Sequence, residues 1–478
     1  MMAAGRNDLK RFFNPKSVAI VGVSKGAFRF GGMSFLSKLQ EAGFPGRLYP
    51  INPRAAELGG LRAYPDLSSL PEVPDLAIVC VAARMVPSIL EECGRLGIRH
   101  IHVLTAGFRE TATDEGRELE ARIRSIAREK GLLVIGPNCM GPYSPSAHLT
   151  SWGAIPGESG PLGIVSQSGI ITQRLTEYAL SLGIGTEKAV SLGNAAVLDE
   201  CDFLELMAAD PKIEVIAMYL ESVQDGRRFL QLAKQVNRTK PIVIWKGGET
   251  EAGAATAASH TGAMSSEWRI WEALFRQTGT TPVHSMDEWA DAILALARLP
   301  APNGKGVFVM GGGGGNSVAH GDACITEGLD VPRPSSPTME RLRESVPMAG
   351  SIAGNPLDMS RVFLDAAYLG EILDLVYEDP AIDMVIIDRV IPRKIFHLPD
   401  LPDPTQETIR VLKSKAKPKP TVFSVDSGGG DPYLAERGAA LRAQFCAAGI
   451  PAYPATRRAA RALARLHRYH AYRRARGA

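Results

Sequence analysis

The chain has 478 residues, of which 45% are hydrophobic and 22% are charged. This composition is ordinary for a globular protein of two to four domains, and it excludes a largely disordered, collagenous or coiled-coil chain. No apolar run reaches the roughly 18 residues of a transmembrane helix, and the N-terminal segment MMAAGRNDLKRFF has no apolar stretch of the signal-peptide kind. The six cysteines form no CxxC pair, so we expect reduced, mostly buried thiols in a cytoplasmic protein, with no metal site in this chain.

The net charge of +3 conceals a basic C-terminus on an acidic body. Residues 457–478 hold eight arginines and no acidic residue, so the rest of the chain carries −5 when these eight charges are subtracted from +3. Leu463, Leu466 and Tyr469 recur at helical spacing and predict a final amphipathic helix with a solvated arginine face. An acidic partner or a membrane surface is the alternative for that face. We expect neither nucleic acid nor a membrane among the binding partners.

Strand-like and helical segments alternate along the chain, which predicts an α/β architecture with parallel sheets. The first domain, residues 8–140, is predicted to be a doubly wound sheet. Its predicted strands are 17–23, 47–52, 76–81, 100–105 and 132–136, and its clearest helices are 86–96 and 114–130. The Pro- and Gly-punctuated segment 137–161 shows no periodicity and is predicted to be a crossing linker.

Two more α/β domains are predicted, over residues 158–300 and 303–470. Their strand-like runs lie within 161–169, 188–194, 214–222, 241–248, 306–315, 384–390 and 421–427. The third domain shows fewer evident strands than the first. Each domain opens with a strand that leads into a Gly-rich turn, an arrangement that brings backbone N–H groups at a helix start close to an anion.

The turn after the first strand is expected to bind a nucleotide. Its glycines fall at Gly22, Gly26, Gly31 and Gly32. This spacing is not the GxGxxG of dinucleotide-binding folds, and the second strand ends in Asn52-Pro53-Arg54 in place of an acidic residue for a ribose diol. Arg54 suits a ribose phosphate, so the pattern disfavours NAD and favours coenzyme A. A tight turn without a ligand is the alternative.

Two other turns are predicted to bind phosphate. Ser166, Ser168 and Gly169 of the SQSG segment offer hydroxyl and N–H groups at a helix start, although Ser and Gly are also common helix caps. The glycine run 311–315, followed by Asn316, repeats the pattern in the third domain. A flexible loop is the alternative there.

Residues 246–266 contain almost no bulky apolar side chain, so a mobile loop is expected. His260 lies near its end, within SHTGA. Glu221 ends the strand VIAMYLE, where a carboxylate points towards the ligand crevice of an α/β sheet. Such a carboxylate can hold the Nδ1–H of an imidazole and leave Nε2 as a nucleophile. By spacing alone, His260 is more often a structural or solvent-exposed residue.

Together these motifs resemble the NDP-forming acyl-CoA synthetases, the superfamily of succinyl-CoA synthetase and ADP-forming acetate–CoA ligase. The similar segments are VAIVGVS, YPINPR, TAGFRE, IGPNCMG, SQSG, SLGN with Asp199, YLES, ASHTGA, GGGGG and NPLDM. They follow the family's order over about residues 10–360. The resemblance implies a Rossmann-like CoA-binding domain followed by two flavodoxin-like domains. SHTGAMSS departs from the family's usual SHTGALAG, and the Arg-rich tail matches no family segment.

The resemblance also implies an enzyme that interconverts acyl-CoA, ADP and phosphate with a carboxylic acid, CoA and ATP. His260 corresponds to the transiently phosphorylated residue and Glu221 to the glutamate that orients it. The implied CoA contacts are Gly22, Ser24, Lys25, Phe30, Asn52, Pro53, Arg54, Val81, Thr105 and Gly107. The implied phosphate contacts are Ser166, Ser168, Gly169, Gly313, Gly314, Gly315 and Asn316.

The chain has no room for the family's ATP-grasp domains, so a separate ATP-grasp β-subunit is implied, which would bind ATP or ADP with Mg²⁺. A homodimer or an α2β2 assembly is expected. The acid substrate and the choice between ADP and GDP stay open. Two other function classes are the alternatives. A non-catalytic CoA-binding regulator on the same scaffold would be expected to lack His260 or Glu221, and a Rossmann dehydrogenase would need the NAD fingerprint.

Overall fold

The computed structural model describes residues 6–24, 31–150, 152, 159–254, 267–346, 352–359, 365–389, 391 and 403–477. The chain divides into two compact units. Unit 1 comprises Met1–Leu180 and Ile184–Ser285, and unit 2 comprises Ser181–Gly183 and Met286–Ala478.

The first sheet of unit 1 consists of parallel strands. They are β1 (Ser17–Val21), β2 (Arg47–Ile51), β5 (Leu76–Val79), β6 (His100–Val103) and β7 (Leu133–Ile135), with β3 (Glu57–Leu58) and β4 (Leu61–Arg62) forming a separate hairpin. The helices of this part are α1 (Arg6–Leu9), α2 (Gly32–Glu41), α3 (Val86–Leu96) and α4 (Asp114–Lys130). Within the described residues the strand order is β2-β1-β5-β6-β7. Strands buried on both faces appear in sequence as continuous apolar runs, and the five predicted strands are confirmed.

The second sheet of unit 1 is parallel except for one edge strand. Its strands are β8 (Gly141–Tyr143), β9 (Leu162–Ser166), β10 (Thr186–Ser191), β11 (Val215–Leu220), β12 (Ile242–Lys246) and β13 (Thr281–Val283). Its helices are α5 (Gly169–Ser181), α6 (Glu200–Ala209), α7 (Gly226–Val236) and α8 (Trp268–Thr278). In the part of the chain that the structure describes, the order is β13-β12-β11-β9-β10-β8. Strand β9 is therefore flanked by β11 and β10, which brings their carboxyl ends to one edge.

The predicted linker 137–161 contains structure that the sequence analysis missed. Strand β8 pairs antiparallel with β10 through Tyr143 and Ala189. The ring of Tyr143 stacks on Trp152 with centroids 4.8 Å apart, and both side chains are buried. Local periodicity does not reveal this strand because it has three residues and one of them is Pro142.

Unit 2 contains a parallel sheet of its own. Its strands are β14 (Val307–Gly311), β15 (Leu357–Asp358), β16 (Met384–Asp388), β17 (Thr421–Ser424) and β18 (Ala452–Tyr453). Its helices are α9 (Met286–Arg298), α10 (Gly314–Thr326), α11 (Ser336–Ser345), α12 (Ala366–Glu378), α13 (Thr405–Ser414), α14 (Pro432–Ala447) and α15 (Thr456–Arg474). Counted over the described ranges, the sheet has five strands in the order β15-β14-β16-β17-β18, as many as the first sheet. The sequence shows fewer evident strands in this domain because β15 and β18 have two residues each.

Helix α9, the last helix of the predicted second domain, packs within unit 2. Its acidic side chains face the arginines of the C-terminal helix α15. Arg458 Nε and Nη2 contact the two carboxylate oxygens of Asp291 at 2.7 and 2.8 Å. Arg461 and Arg465 each contact Glu288 at 2.5 Å. The predicted amphipathic helix is confirmed, but its arginine face is paired with carboxylates within this unit and is not simply solvated.

Candidate functional site

The residues predicted to bind CoA come from four neighbouring strand ends of the first sheet. Asn52 follows β2 and donates from Nδ2 to the carbonyl oxygen of Val23, just after β1, at 2.6 Å. Thr105 follows β6 and donates from Oγ1 to the carbonyl oxygen of Val81, after β5, at 2.7 Å. These bonds join the turns in two pairs at the carboxyl edge of the sheet, where α/β folds bind ligands.

The turn after β1 is shaped by close backbone packing. Gly22 has φ = 94°, and a Cβ at this position would lie 2.6 Å from the carbonyl oxygen of Cys80. A Cβ at Gly31 would meet no atom of the described residues within 4 Å, so this side of the α2 start is open among them, whereas a Cβ at Gly32 would lie 2.9 Å from the carbonyl oxygen of Gly22. No side chain among the described residues caps this helix. Its first-turn N–H groups are therefore suited to a phosphate.

Other predicted CoA residues are exposed or are not described. Ser24, Pro53 and Arg54 are exposed at the same edge, and the backbone N–H of Arg54 donates to Asn52 Oδ1 at 2.8 Å. This leaves the guanidinium of Arg54 on the surface beside the strand end. Lys25 and Phe30 lie outside the described residues.

The turn after β6 is held by a glutamate that the sequence analysis did not single out. Glu110 Oε1 accepts from the N–H groups of Gly107 and Phe108 at 2.6 and 3.1 Å, and its Oε2 accepts from Asn194 Nδ2 at 2.6 Å. Burial alone would raise the pKa of Glu110, but these hydrogen bonds together lower it below its usual value. The N–H of Gly107 is thus committed to Glu110, which leaves Gly107 as a shape-determining residue of this turn.

The SQSG turn follows β9 and leads into α5. Ser166 is buried, and its Oγ donates to the carbonyl oxygen of Ser168 at 2.9 Å and accepts from the N–H of Ser168 at 3.1 Å. The hydroxyl of Ser166 therefore stabilises the turn itself. Ser168 and Gly169 are partly exposed at the helix start. A Cβ at Gly169 would lie 2.5 Å from Met140 Cγ, so this position favours glycine.

Glu221 lies beside this turn because β11 and β9 are adjacent in the sheet. Its backbone N–H donates to Gln167 Oε1 at 2.6 Å. Its side chain is 6% exposed. Burial and then the Glu221 carboxylate, to which the Tyr219 hydroxyl donates, raise the pKa of Tyr219 above its usual value. The serines and the glycine of SQSG were predicted phosphate contacts and Gln167 was not, although its position inside the motif was the available signal.

The described start of the segment 246–266 is packed against Glu221. Gly247 donates its N–H to the carbonyl oxygen of Leu220 at 2.9 Å. A Cβ at Gly247 would lie 2.5 Å from the Tyr219 hydroxyl and 3.2 Å from Glu221 Cγ. His260 lies outside the described residues. The structure thus describes Glu221, one member of the predicted pair of Glu221 and His260, and residues 246–254 of the segment that carries His260.

A second buried carboxyl, that of Glu200, lies at the start of α6, which follows β10. Glu200 is fully buried, and its Oε1 accepts from the N–H of Gln224 at 2.9 Å. Its Oε2 has no hydrogen-bond partner among the described residues. Burial, and then the charge of Asp199, raise the pKa of Glu200 to about 7. Asp199 itself caps α6 by accepting from Cys201 and Asp202.

The glycine turn of unit 2 has an exposed helix start. Gly313 has φ = 99° and precedes α10, and its N–H donates to Asp358 Oδ1 at 2.7 Å. Gly314, Gly315 and Asn316 are exposed, and in the described structure no side chain caps the helix. The first-turn N–H groups after Gly313 are therefore available to an anion, whereas Gly313 already binds a carboxylate.

Several general features of the described residues bear on function. All six cysteines are free, and five are buried, which confirms the expectation for the thiols. Among the described side chains, no group of three or more His, Cys, Asp or Glu is placed to hold a metal ion. Where the structure describes the chain, it contains no helix with both the length and the apolar character needed to span a membrane.

Known families match two segments of the chain that carry the first of these turns. Residues 16–145 match the CoA binding domain family, and residues 159–296 match the family described as succinyl-CoA ligase like flavodoxin domain. This pair of domains defines a scaffold of the acyl-CoA synthetase class, as the motifs predicted.

Relatives extend the match over nearly the whole chain. The α-subunit of acetate–CoA ligase [ADP-forming] II of Pyrococcus furiosus is 33% identical over 448 residues, which cover 93% of this chain and 94% of that one. The solved structure of dinucleotide forming acetyl-coenzyme A synthetase 1 of Ca. Korarchaeum cryptofilum, in complex with phosphate and ADP, is 31% identical with a TM-score of 0.85 and covers 98% of both chains. The chain belongs to the family of ADP-forming acid–CoA ligases.

Some members of the family are longer single chains. Acetate–CoA ligase [ADP-forming] I of Archaeoglobus fulgidus is 35% identical over 379 residues, which cover 79% of this chain and 54% of that protein. This chain therefore matches about half of the longer type and nearly all of the α-subunit type.

Proposed function

We propose that this chain is the α-subunit of an ADP-forming acyl-CoA synthetase that works with a separate ATP-grasp β-subunit through a phosphohistidine at His260. The observation that carries the proposal is the position of Glu221. Its buried carboxylate lies at the carboxyl edge of the second sheet, beside the SQSG helix start and against Gly247, the second residue of the segment that carries His260. The collinear match to an α-subunit supports the division into two subunits.

The proposed reaction has three steps. A phosphate oxygen attacks the thioester carbon, the C–S bond breaks, and CoA leaves with an acyl phosphate as the product. His260 Nε2 then attacks the phosphorus, the bond from phosphorus to the acyl oxygen breaks, and the carboxylate leaves. Finally a β-phosphate oxygen of ADP attacks the phosphohistidine, the N–P bond breaks, and ATP and free His260 result. All three steps are reversible in this scheme.

This chain's residues supply the charges that such steps need. Glu221 would accept the Nδ1–H of the imidazole, which holds the tautomer whose Nε2 is nucleophilic and stabilises the cation that forms. The start of α5 at Ser168 and Gly169 would face the phosphoryl group with N–H donors and the positive end of the helix dipole. The exposed start of α10 after Gly313 offers a second such position.

The carboxyl edge of the first sheet would hold CoA. The open start of α2 suits the pyrophosphate, and the exposed Arg54 suits the 3′-phosphate. Asn52 and Thr105 hold the turns in place and contribute shape. The nucleotide and Mg²⁺ are assigned to the ATP-grasp subunit, in an α2β2 assembly. The substrate class is a carboxylic acid, and acetate is the first candidate because relatives are named for it.

The test is to locate the phosphoryl group. The chain is reconstituted with its ATP-grasp subunit and incubated with γ-labelled ATP and Mg²⁺, and the label is mapped by mass spectrometry under alkaline conditions. We expect alkali-stable, acid-labile phosphate on His260. His260→Asn should lose the label and the overall turnover and keep CoA binding, because the CoA turns belong to a different sheet.

His148→Asn is the matched control. His148 is exposed and has φ = 52°, a conformation that Asn adopts readily. This variant should be labelled and turn over like the wild type. Label on another residue, or full turnover in His260→Asn, would overturn the phosphohistidine. Full nucleotide-dependent activity of the chain without a partner would overturn the two-subunit arrangement.

A further inference from the structure

A buried lysine lies next to Glu221. Lys246 is the last residue of β12, and its side chain is 1% exposed. Lysine is almost never fully buried unless its charge is paired, because an isolated ammonium loses its hydration. Strands β12 and β11 are in register with Lys246 opposite Leu220, so Lys246 is adjacent to the strand end that carries Glu221.

The described neighbours hold the ammonium of Lys246 in one position. Nζ donates to the carbonyl oxygen of Gly247, the residue that follows it. Nζ also lies over the ring of Trp271, 5.5 Å from its centroid, in a cation–π arrangement. Among the described residues, the direct contacts of the ammonium are therefore a backbone acceptor and an aromatic face, neither of which carries a full negative charge.

The compensating charges come from two carboxylates. Burial lowers the pKa of Lys246, and the negative charges of Glu221 and then Glu249 oppose this effect. Glu249 is 27% exposed at its side chain and contacts His284 Nδ1 at 2.9 Å. Glu221 is the more buried of the two acids and makes the larger contribution. The electrostatic relationship is reciprocal, since a cation that is stabilised by a carboxylate also favours the ionised form of that carboxylate.

We propose that Lys246 is a positioning residue for phosphoryl transfer, which keeps the buried Glu221 carboxylate ionised and fixes the beginning of the histidine-bearing segment at Gly247. The inference rests on the proposed function, because ionised Glu221 matters only if it accepts a hydrogen bond from the imidazole of His260. Lys246 itself need not touch the substrate. Among the described residues, the charged and titratable groups near Glu221 are Tyr219 on its own strand, Lys246 on the adjacent strand, and the more distant pair of Glu249 and His284.

The charge role and a purely structural role make different predictions for pH dependence. Without the ammonium, the pKa of Glu221 rises, so the carboxylate becomes protonated at a higher pH than in the wild type. The rate of His260 phosphorylation should then fall along an acid limb that lies at a higher pH than in the wild type. A residue that only fills space would lower the rate by the same factor at every pH.

The experiment measures single-turnover phosphorylation of the reconstituted complex by γ-labelled ATP and Mg²⁺ between pH 5 and 9. Lys246→Met removes the charge and keeps most of the side-chain length. Lys240→Met is the matched control, because Lys240 lies just before the same strand, has a pKa lowered by burial, and donates to the backbone carbonyls of Met207 and Asp210. We expect a shifted acid limb for Lys246→Met and the wild-type limb for Lys240→Met.

A double variant distinguishes the proposed charge role of Lys246 from a non-specific loss of structure. In Glu221→Gln the carboxylate is gone, so adding Lys246→Met should not move the acid limb any further. If Lys246→Met alone does not fold, the double variant still tests whether Lys246 and Glu221 compensate each other's charge. Removing both charges together should then restore a folded chain that binds CoA.

Three results would overturn the role of Lys246. They are a uniform rate loss at all pH values, an unchanged acid limb, and a double variant that stays unfolded when Lys246→Met is unfolded. If the wild-type complex is not labelled on His260 at all, the proposed function fails instead, so the two failures are distinguishable.

Discussion

The side-chain amide of Gln167 holds the backbone on both sides of Glu221. Its Oε1 accepts from the N–H groups of Glu221 and Ser222 at 2.6 and 3.1 Å, and its Nε2 donates to the carbonyl oxygen of Ser222 at 2.9 Å. All of these groups are buried. The turn that starts α5 and the strand end that carries the carboxylate are therefore one structure, and a change in either one moves the other.

Gln167→Ala should reduce the rate of His260 phosphorylation about 10- to 100-fold. The substitution leaves two buried N–H groups without an acceptor and frees the backbone at Glu221, and small displacements of a positioning group have effects of this size. Single-turnover labelling gives the rate. Gln173→Ala is the control, since Gln173 lies on α5, the helix that follows this turn, and its Nε2 donates to Glu177. Equal labelling rates in the Gln167 and Gln173 variants would show that the hydrogen bonds of Gln167 to Glu221 and Ser222 have no role in catalysis.

Arg54→Ala should weaken CoA binding by about tenfold and dephospho-CoA binding much less. The guanidinium is exposed at the end of β2, where the 3′-phosphate is expected. One lost charge-assisted hydrogen bond is worth about 1.5–3 kcal/mol, and solvent exposure places this one at the low end of that range. Calorimetry with the two ligands measures the difference. Arg62→Ala is the control, because Arg62 lies nearby over the ring of Tyr64. Equal losses for both ligands would reject the contact between Arg54 and the 3′-phosphate.

The sequence predicted the sheets and the strand-end residues because those signals are local. A buried parallel strand appears in sequence as a short apolar run. The residue after it lies at the carboxyl edge of the sheet, whichever strands are its neighbours. Glu221, Asn52 and Thr105 could be placed at that edge for this reason. Their family roles came from the resemblance, and the position of His260 stays a prediction.

Contacts between distant segments could not be predicted in the same way. Gln167 is 54 positions from Glu221, and Glu110 is 84 positions from Asn194. Which strand lies next to which is set by the packing of the whole sheet, so no local pattern reveals these pairs. The arginines of α15 show the opposite error, since they were predicted to be solvated and are paired with carboxylates in the fold. In sequence, a solvated basic face looks the same as a basic face whose carboxylate partners lie far along the chain.

Asp291→Asn should lower the stability of unit 2 by about 2–3 kcal/mol. The Asp291 side chain is 8% exposed and binds Arg458 through both oxygens. Burial raises the pKa of Asp291, and the contact with Arg458 opposes this effect. Removing one partner of a buried pair typically costs about 3–5 kcal/mol, because the other charge is left unpaired. The partial exposure of Arg458 reduces this value. Asp287→Asn is the control on the same helix, since Asp287 is 60% exposed at 3.4 Å from Arg458 and should matter by less than about 0.5 kcal/mol. Urea unfolding compares them, and equal effects would contradict the buried pair.

Glu200→Gln should stabilise the protein, and the gain should depend on pH. In the folded chain the pKa of Glu200 is about 7, above its usual value, because the carboxyl is buried and Asp199 is near. Between about pH 4.5 and 7 the folded chain therefore binds more protons at this site than the unfolded chain, so this site lowers stability as the pH rises. Above about pH 7 the full cost is present, about 2–4 kcal/mol for a shift of this size.

The neutral amide introduced by Glu200→Gln avoids that cost while it keeps an oxygen that can accept from the N–H of Gln224. Urea unfolding at pH 8 should thus show the variant to be more stable than the wild type by about 2–4 kcal/mol, and the difference should shrink at pH 5. Glu214→Gln, at an exposed position of the same unit, should show no such pH dependence. A variant that is less stable than the wild type at pH 8 would mean that the ionised Glu200 carboxylate is stabilised in the folded state, and the buried acid would need a different explanation.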